Sequence, residues 1–397
     1  MKKPFWASLF AILCLLLISC ASTPYKELNR TPINSVVHGS LTNQIWYEFI
    51  GNGVGASQIN LNPIVRANRV FVNSQDGTVV ALNLKTGDKI WQLSFPTKFN
   101  ISIGADSSRL FLADTTGIVR VVNKKDGKLL WQTETSSEIS ARIISDDNIM
   151  VVRSTNGKTE VFSIQFKERI WQNQHLALPF SLHGAASPII FNNQIIVPTS
   201  NGEIISYHRQ SGKKLWAEPI TFPYGRTVMD RIVDVDAEPL IVGNEIYVLS
   251  MHGKLAKINL NTGNTIWSTN YSGMESPVIY ENTIIVSHED GSISGFNAQD
   301  GSLQWKNNQL LGYDLIGPIQ FDNYFVIGVK NKNRVFWLDR QQNKITRQTI
   351  IFRHQSDFQS NEYDEIDYEG NHILSLTQTQ QGVLIYTKDG NLSLHRP

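Results

Sequence analysis

The chain has 397 residues, of which 41% are hydrophobic, 10% aromatic and only 18% charged. Lys and Arg together number 36 and Asp and Glu 35, so the formal charge of +1 provides no excess of cations for binding nucleic-acid phosphates. The apolar fraction excludes a disordered chain. The length is sufficient for two or more domains unless one repeat architecture takes up the whole chain.

The N-terminus has the features of a bacterial export signal. Lys2 and Lys3 precede fourteen uncharged residues, 5–18, which as a helix would rise about 21 Å and fall short of a ~30 Å membrane core. The stretch Leu17-Ile18-Ser19-Cys20 resembles the lipobox of bacterial lipoproteins, in which cleavage precedes the cysteine and the cysteine is acylated. We therefore expect a signal peptide over 1–19, a lipidated Cys20 with a linker over 20–40, and a folded domain over 41–397.

Both cysteines of the chain, Cys14 and Cys20, lie in this N-terminal region. Cleavage and lipidation would leave the folded domain with no thiol, no disulfide and no cysteine-based metal site. Without Lys2 and Lys3 the formal charge is close to zero, so acyl chains rather than a polybasic patch would provide the anchor. Ala21 follows the cysteine, and its likeness to lipoproteins that lack Asp at this position implies the periplasmic face of the outer membrane.

One pattern recurs along the rest of the chain, a Gly followed fourteen residues later by a Trp. It occurs at Gly77…Trp91, Gly117…Trp131, Gly157…Trp171, Gly202…Trp216, Gly253…Trp267 and Gly291…Trp305. Five of the six units carry a second Gly four residues before the Trp, and Lys167 replaces it in the third. Self-similarity at a period of about 40 residues predicts a repeat architecture.

Each unit reads as four short strands. In the first unit, apolar and β-branched runs flank Asp76-Gly77, a pair that favours a hairpin turn, and Thr86-Gly87 predicts a second turn before Trp91. The next apolar run, Ile101-Ser102-Ile103, is the predicted first strand of the following unit. Four antiparallel strands in about 40 residues are typical of a β-propeller blade.

The register continues at Asn333…Arg347 and again at Lys388-Asp389-Gly390, where the final unit lacks its last strand. The strand around Ile45-Trp46 has no Gly partner upstream and supplies the missing one. The sequence therefore predicts an all-β fold, an eight-bladed β-propeller of four-stranded blades that is closed by an N-terminal strand. We expect the recurrent Trp side chains to pack blade against blade.

Because the Gly-to-Trp spacing is fixed, length variation falls in the connectors that join one blade to the next. Three connectors are long, 172–187, 217–238 and 348–370, and strand alternation places all three on one face with the Asp-Gly turns. Loops on a rigid scaffold concentrate binding residues, so this face is the predicted working surface. The third connector is acidic, and it either binds a cationic partner or is simply a solvated loop.

The first two long connectors belong to successive blades and are predicted to lie side by side. The first contains Phe180-Ser181-Leu182-His183, and the second contains Asp230-Arg231-Ile232-Val233-Asp234-Val235-Asp236. Apolar residues beside carboxylates suit a protein interface. The same residues are also compatible with a structural role, in which the apolar side chains close the channel mouth and the carboxylates bond loop backbone.

The signal, the lipobox, the eight predicted blades with their Trp repeat and above all the Asp-Arg-x-x-Asp-Val-Asp loop at 230–236 resemble the BamB family. These are lipoproteins of the outer-membrane β-barrel assembly machinery. The resemblance covers essentially the whole chain. It implies a protein that is not an enzyme and has no cofactor, that binds a POTRA domain of BamA and joins the rest of the complex, and that has nascent outer-membrane proteins as further candidate partners.

The resemblance also implies contact residues. Asp234 and Asp236 match the acidic pair of the family, and Arg231 matches the neighbouring basic residue. Leu182 matches a retained leucine, whereas Phe180 and His183 depart from the family pattern of Leu and Arg. His183 makes the cationic contact titratable near neutral pH.

Two other functional classes remain open at this point. Quinone-dependent dehydrogenases share the Trp repeat, although a cysteine-free domain lacks the vicinal disulfide that many of them use. A general envelope scaffold would bind peptidoglycan or peptides. The carboxylates of Asp234, Asp236, Glu238 and Glu245 approach the spacing of a calcium loop, but Pro239 stands where that loop needs Gly. The sequence therefore assigns no catalytic, cofactor-binding or metal-binding residue.

Overall fold

The computed structural model describes residues 30–36, 42–55, 59, 61–175, 186–221, 237–351 and 372–397. In these ranges the chain forms 32 β-strands and a short 3-10 helix at Ile33–Ser35. The strands make eight antiparallel sheets of four strands each. The predicted eight-bladed β-propeller is therefore confirmed.

The first strand, β1 (Asn43–Phe49), belongs to the last blade, and blade 1 begins after it. Blade 1 is β2 (Ile64–Arg66), β3 (Arg69–Asn73), β4 (Thr78–Asn83) and β5 (Lys89–Ser94). Blade 2 is β6 (Gly104–Ala105), β7 (Arg109–Ala113), β8 (Ile118–Asn123) and β9 (Leu129–Glu134). Blade 3 is β10 (Ile144–Ser145), β11 (Ile149–Arg153), β12 (Lys158–Ser163) and β13 (Arg169–Gln174). Blade 4 is β14 (Ile189–Phe191), β15 (Gln194–Pro198), β16 (Glu203–His208) and β17 (Lys214–Pro219).

Blade 5 is β18 (Leu240–Val242), β19 (Glu245–Leu249), β20 (Lys254–Asn259) and β21 (Thr265–Asn270). Blade 6 is β22 (Val278–Tyr280), β23 (Thr283–Ser287), β24 (Ile293–Asn297) and β25 (Leu303–Asn307). Blade 7 is β26 (Leu315–Phe321), β27 (Tyr324–Val329), β28 (Arg334–Asp339) and β29 (Lys344–Ile350). Blade 8 is β30 (Ile373–Gln378), β31 (Val383–Thr387) and β32 (Asn391–Arg396), completed by β1.

The four strands of each blade are arranged in order from the axis of the ring to its rim. The first strand of a blade, here called the inner strand, contacts inner strands of neighbouring blades, as β10 does with β6 and β14. The last strand, here called the outer strand, is exposed on alternate residues. The two middle strands bury both of their faces between neighbouring blades, which explains why they read as continuous apolar runs rather than as alternating ones.

The ring closes through β1, as the sequence predicts. This strand pairs antiparallel with β32, so that Asn43 lies opposite Arg396 and Phe49 opposite Asn391. Trp46 is buried at this seam and its Nε1 donates a hydrogen bond to the Leu84 carbonyl oxygen in blade 1. The N- and C-terminal strands therefore share one sheet, and blade 8 has the same four strands as the others.

The core consists of eight apolar clusters, one for each interface between successive blades. The seam cluster contains Trp46 and Tyr386 of blade 8 together with Val70 and Leu82 of blade 1. The other seven follow the ring in the same way, each with side chains from two neighbouring blades. Stability thus arises between blades rather than inside them.

The prediction that Trp side chains join the blades is confirmed at five interfaces. The indole Nε1 donates to a backbone carbonyl oxygen of the next blade in the pairs Trp46–Leu84, Trp91–Lys124, Trp171–Arg209, Trp216–Leu260 and Trp267–Ala298. The same five rings cover the second Gly of the next blade, at Gly87, Gly127, Gly212, Gly263 and Gly301. Each of these Gly residues has a positive φ, so both its conformation and the ring behind it oppose a side chain.

One strand prediction is wrong. Ile101-Ser102-Ile103 precedes the inner strand of blade 2, which is only Gly104–Ala105. The carbonyl oxygen of Ile101 accepts a hydrogen bond from the side chain of Asn73 in blade 1 (2.9 Å), so it has no strand partner. Ile101 and Ile103 are nevertheless buried in the core, and their apolar character reflects that burial rather than strand pairing.

Residues 30–36, which the sequence assigns to the linker, lie against blades 6 and 7. The Tyr313 hydroxyl donates to the carbonyl oxygen of Thr31 (2.9 Å), and Val36 is buried in the cluster between these blades. The expected signal peptide lies outside the described residues. Within the described ranges no helix has the length and hydrophobicity needed to cross a membrane.

Two histidines of the fold have a lowered pKa. Burial lowers the pKa of His395, in β32, from 6.5 to about 3. Burial, with a smaller contribution from the nearby Arg153 cation, lowers the pKa of His175 from 6.5 to about 4. Both side chains take up a proton more readily in the unfolded chain than in the fold.

Two glycines of blade 5 allow the Trp contact to be tested by itself. Gly263 and Gly243 both have positive φ, +77° and +62°, but a Cβ on Gly263 would come within 2.6 Å of the Trp216 ring, whereas a Cβ on Gly243 meets nothing within 4 Å. We expect Gly243→Ala to lower the free energy of unfolding by about 1–2 kcal/mol through backbone strain. Gly263→Ala should lose a further ~1–3 kcal/mol through overpacking, measured by denaturant unfolding. Equal losses in the two variants would contradict the role given to the Trp contact.

We also expect the free energy of unfolding to fall as the pH is lowered from 6.5 towards 4. In this interval unfolding takes up protons on His175 and His395, so acid favours the unfolded chain, and the full contribution is present only above pH 6.5. Each histidine contributes a slope of up to about 1.4 kcal/mol per pH unit. Denaturant unfolding at pH 7.5, 6, 5 and 4.5 measures it. His395→Gln should remove about half of the slope, and a variant with the wild-type slope would disprove this assignment.

Candidate functional site

The connectors between blades lie on the same face as the Gly turns, and backbone hydrogen bonds fix them there. Four residues after six of the seven recurrent Trp residues, a backbone N–H donates to the Gly carbonyl oxygen of the same blade, as in Phe95 to Gly77 (3.0 Å). His175 donates to Gly157 (2.8 Å) in this way where the first long connector begins. We call this side of the ring the connector face.

The second and third long connectors begin with the same bond. Ile220 donates to the Gly202 carbonyl oxygen (2.8 Å), and Ile351 donates to that of Asn333 (3.0 Å). The repeat thus continues undisturbed up to the first residues of each long connector. Insertions are confined to the segments that follow, 176–185, 222–236 and 352–371.

The far ends of the first two long connectors are joined to each other. The carboxylate of Glu238, two residues after segment 222–236, accepts from the hydroxyl of Ser187, two residues after segment 176–185 (2.9 Å). The Arg142 guanidinium of blade 3 donates from Nη2 to both oxygens of the same carboxylate, each at 2.7 Å. Side chains from the inner ends of blades 3, 4 and 5 therefore meet at Glu238.

A buried arginine holds the chain where the first long connector ends. Arg153, in β11, is 8% exposed and donates from Nη1 to the Ala186 carbonyl oxygen at 2.7 Å. His175 lies beside it, with its ring against that of Tyr207 at a centroid distance of 5.6 Å. Both flanks of segment 176–185 are thus held by buried polar contacts, which gives this connector a rigid base.

Sequence reasoning missed Arg142 and Ser187, although a signal for them exists in the repeat. Asn62, Ser102, Arg142, Ser187 and Glu238 each stand two residues before the inner strand of their blade. We call these five residues the polar belt. Neighbours in the belt bond across blades, as when the Asn62 N–H donates to the Ser102 hydroxyl at 2.8 Å. Polar residues at one repeat position in five successive blades would have revealed the belt.

The residues that the sequence predicts to bind a partner fall in the connector segments themselves. Phe180, Leu182 and His183 belong to segment 176–185, and Arg231, Asp234 and Asp236 belong to segment 222–236. All six lie outside the described residues, as do the lipidation candidate Cys20 and the acidic stretch of the third connector. The structure does bring the flanks of the two segments together, which agrees with the expectation that these connectors are neighbours.

The carboxylates considered for a calcium loop have other partners where they are described. Glu238 binds Arg142 and Ser187, and Glu245 lies 2.8 Å from the ammonium of Lys257. In the part of the chain that the structure covers, no three His, Cys, Asp or Glu side chains are grouped to hold a metal ion. Glu238 and Glu245 therefore serve as ion-pair partners that fix blades 3 and 5.

Comparisons with known proteins agree with this architecture. The family model described as outer membrane protein assembly factor BamB matches residues 43–98 and 75–307. Outer membrane protein assembly factor BamB of Pseudomonas aeruginosa is 39% identical over 316 residues, covering 80% of this chain and 83% of that protein. The BamB of Alkalilimnicola ehrlichii is 40% identical over 313 residues, covering 79% and 81%.

A solved structure shares the fold. The crystal structure of BamB from Moraxella catarrhalis superimposes with a TM-score of 0.78 and 19% sequence identity, covering 90% of this chain and 100% of that one. At this identity the likeness concerns the fold alone. The family match over most of the propeller and the two relatives near 40% identity extend it to the sequence. The chain belongs to the BamB family of outer membrane protein assembly factors.

Proposed function

We propose that the chain is a scaffold without enzymatic activity that binds a periplasmic POTRA domain of BamA and thereby aids the assembly and insertion of outer-membrane β-barrel proteins. The observation that carries this proposal is the shared base of two long connectors, held by Glu238 in a member of this family. Two loops whose bases are held together by one carboxylate on a rigid ring can form one binding surface, and little entropy is lost in ordering their bases when a partner binds.

The contact residues in this proposal come from the two connector segments. Leu182 and Phe180 would supply apolar burial at the centre of the contact, and Asp234 and Asp236 would pair with cations of the partner at its rim. Arg231 and His183 would add positive charge, the latter only when protonated. The surrounding β-strands would keep the base of both segments fixed while the partner docks.

We further propose that the mature chain begins at Cys20, that its acyl chains anchor it to the periplasmic face of the outer membrane, and that residues 20–40 connect the anchor to the propeller. The support for this is the stretch Leu17-Ile18-Ser19-Cys20 after a short apolar segment. An anchored propeller would face the periplasmic domains of an outer-membrane partner directly.

We expect Asp234→Ala with Asp236→Ala to weaken capture of purified BamA periplasmic domains while the propeller stays folded. Loss of two rim charges should lower the affinity about five- to tenfold at low salt and reduce its salt dependence. Leu182→Asp should cost about thirtyfold or more, because it buries an unpaired charge at the centre of the contact. Surface plasmon resonance at two salt concentrations, with circular dichroism as the folding check, measures both effects.

The matched control is Asp88→Ala with Asp126→Ala, which removes the same charge from two exposed turns between the third and fourth strands of blades 1 and 2. This control should bind as the wild type does. If the Asp234 and Asp236 variant also binds with wild-type affinity at both salt concentrations, the acidic segment is not part of the interface.

We expect Cys20→Ser to abolish palmitate labelling and to release the protein into the soluble periplasmic fraction, because no other acyl attachment site would remain. The wild type should label and sediment with the outer membrane. Cys14→Ser is the control, since Cys14 lies upstream of the expected cleavage site and its loss should change neither result. A Cys20→Ser protein that still labels would rule out this anchor.

A further inference from the structure

The central channel contains a cavity of about 350 Å³ that the function proposed above does not use. It lies on four successive blades, 8, 1, 2 and 3. Its lining residues are Pro63, Ile64, Val65, Arg66, Gly104, Ala105, Arg142, Ile143, Ile144, Ser145, Thr377 and Gln378. Its volume falls within the range of about 300–1,000 Å³ that is usual for small-ligand sites.

The cavity lining contains apolar residues and two cations. Val65 and Ile144, from the inner strands of blades 1 and 3, are half-buried, whereas Ile64 and Ala105 pack into the core between blades 1 and 2. Arg66 and Arg142 are the only charged residues among the twelve that line the cavity, and both are cations.

The two arginines differ in how their charge is balanced. Arg142 is paired with the Glu238 carboxylate through Nη2, and its Nε is buried with no partner in the described ranges. Arg66 is solvent-exposed, and its Nη1 donates to the neighbouring Val65 carbonyl oxygen at 3.0 Å. No carboxylate of the described residues lies within 4 Å of the Arg66 guanidinium. Arg66 thus has hydrogen-bond donors to spare and access to solvent.

The positive charge of Arg142 affects the pKa of Arg66. Partial burial, and after it the field of the Arg142 cation, lowers the pKa of the Arg66 guanidinium below its ordinary value. Two like charges repel in this confined space, and an anion placed between them would relieve the repulsion. Because Glu238 pairs with Arg142, Arg66 is the lining cation that is left for an anionic ligand.

We propose that this part of the channel binds a carboxylate attached to an apolar group, with the carboxylate on Arg66 near Arg142 and the apolar group against Val65 and Ile144. The planar guanidinium suits a carboxylate, because two parallel N–H donors match its two oxygens. Ser145, Thr377 and Gln378 provide additional polar groups at the same cavity. A free organic acid and the C-terminus of a peptide with an apolar last residue both present this chemistry.

The test uses the mature full-length chain and isothermal titration calorimetry at low salt. Hexanoate is compared with hexanamide, which keeps the apolar group without the charge. A short peptide ending in Leu is compared in its free-acid and amidated forms. We expect at least one free acid to bind, and its affinity to fall about tenfold or more when the carboxylate is replaced by an amide.

Arg66→Gln should weaken binding of that acid about tenfold or more, and Arg66→Lys should restore part of it. The matched control is Arg69→Gln, because Arg69 is close by but donates to the carbonyl oxygens of Lys124 and Lys125 and does not line the cavity. Binding of hexanoate alone assigns the site to free acids, and binding of the peptide assigns it to chain termini. The proposal fails if neither acid binds, if the amides bind as well as the acids, or if Arg66→Gln binds like the wild type.

Discussion

The contact on which the ring depends is the stacking of a Trp from one blade on a Gly of the next. It combines apolar burial, an indole hydrogen bond to backbone and a positive φ that only Gly adopts without strain. The contact occurs at the five interfaces where the sequence places a Trp before a blade with a second Gly. In blades 3 and 7, Lys167 and Asn343 stand at the Gly position and take the same positive φ, so the backbone shape persists where the contact does not.

Most of the fold could be predicted because the spacing of the repeat determines where its turns and strands lie. The spacing from Gly77 to Trp91 includes a turn, two strands and a second turn, and it recurs with little change. The inner strand of blade 2 could not be predicted, because Ile101 and Ile103 are buried in the core without forming a strand, and the Ile101 carbonyl oxygen accepts from the Asn73 side chain. The residues proposed to bind a partner, such as Asp234, follow from family likeness, since the repeat gives no information where it is interrupted.

The polar belt shows that equivalent positions of the repeat carry different polar residues in different blades. One position of the repeat, two residues before the inner strand, carries Asn62 and Ser102 in blades 1 and 2 but Arg142 and Glu238 in blades 3 and 5. The ion pair therefore marks one sector of a nearly symmetric ring. The first two long connectors end in that sector, and Arg142 also lines the channel cavity. A single side chain thus connects two regions with different surroundings.

The pairing of β1 with β32 has a consequence for the order in which the molecule forms. Asn43 is among the first residues of the propeller to be synthesised, and its partner Arg396 is the last residue but one of the chain. Blade 8 cannot be completed until β32 has been synthesised, and the first strand must stay without its partner until then. Joining such distant segments carries an entropic cost that grows slowly with the length between them, and it is least when the intervening blades are already compact. The seam is therefore expected to be the last interface to form and the first to open.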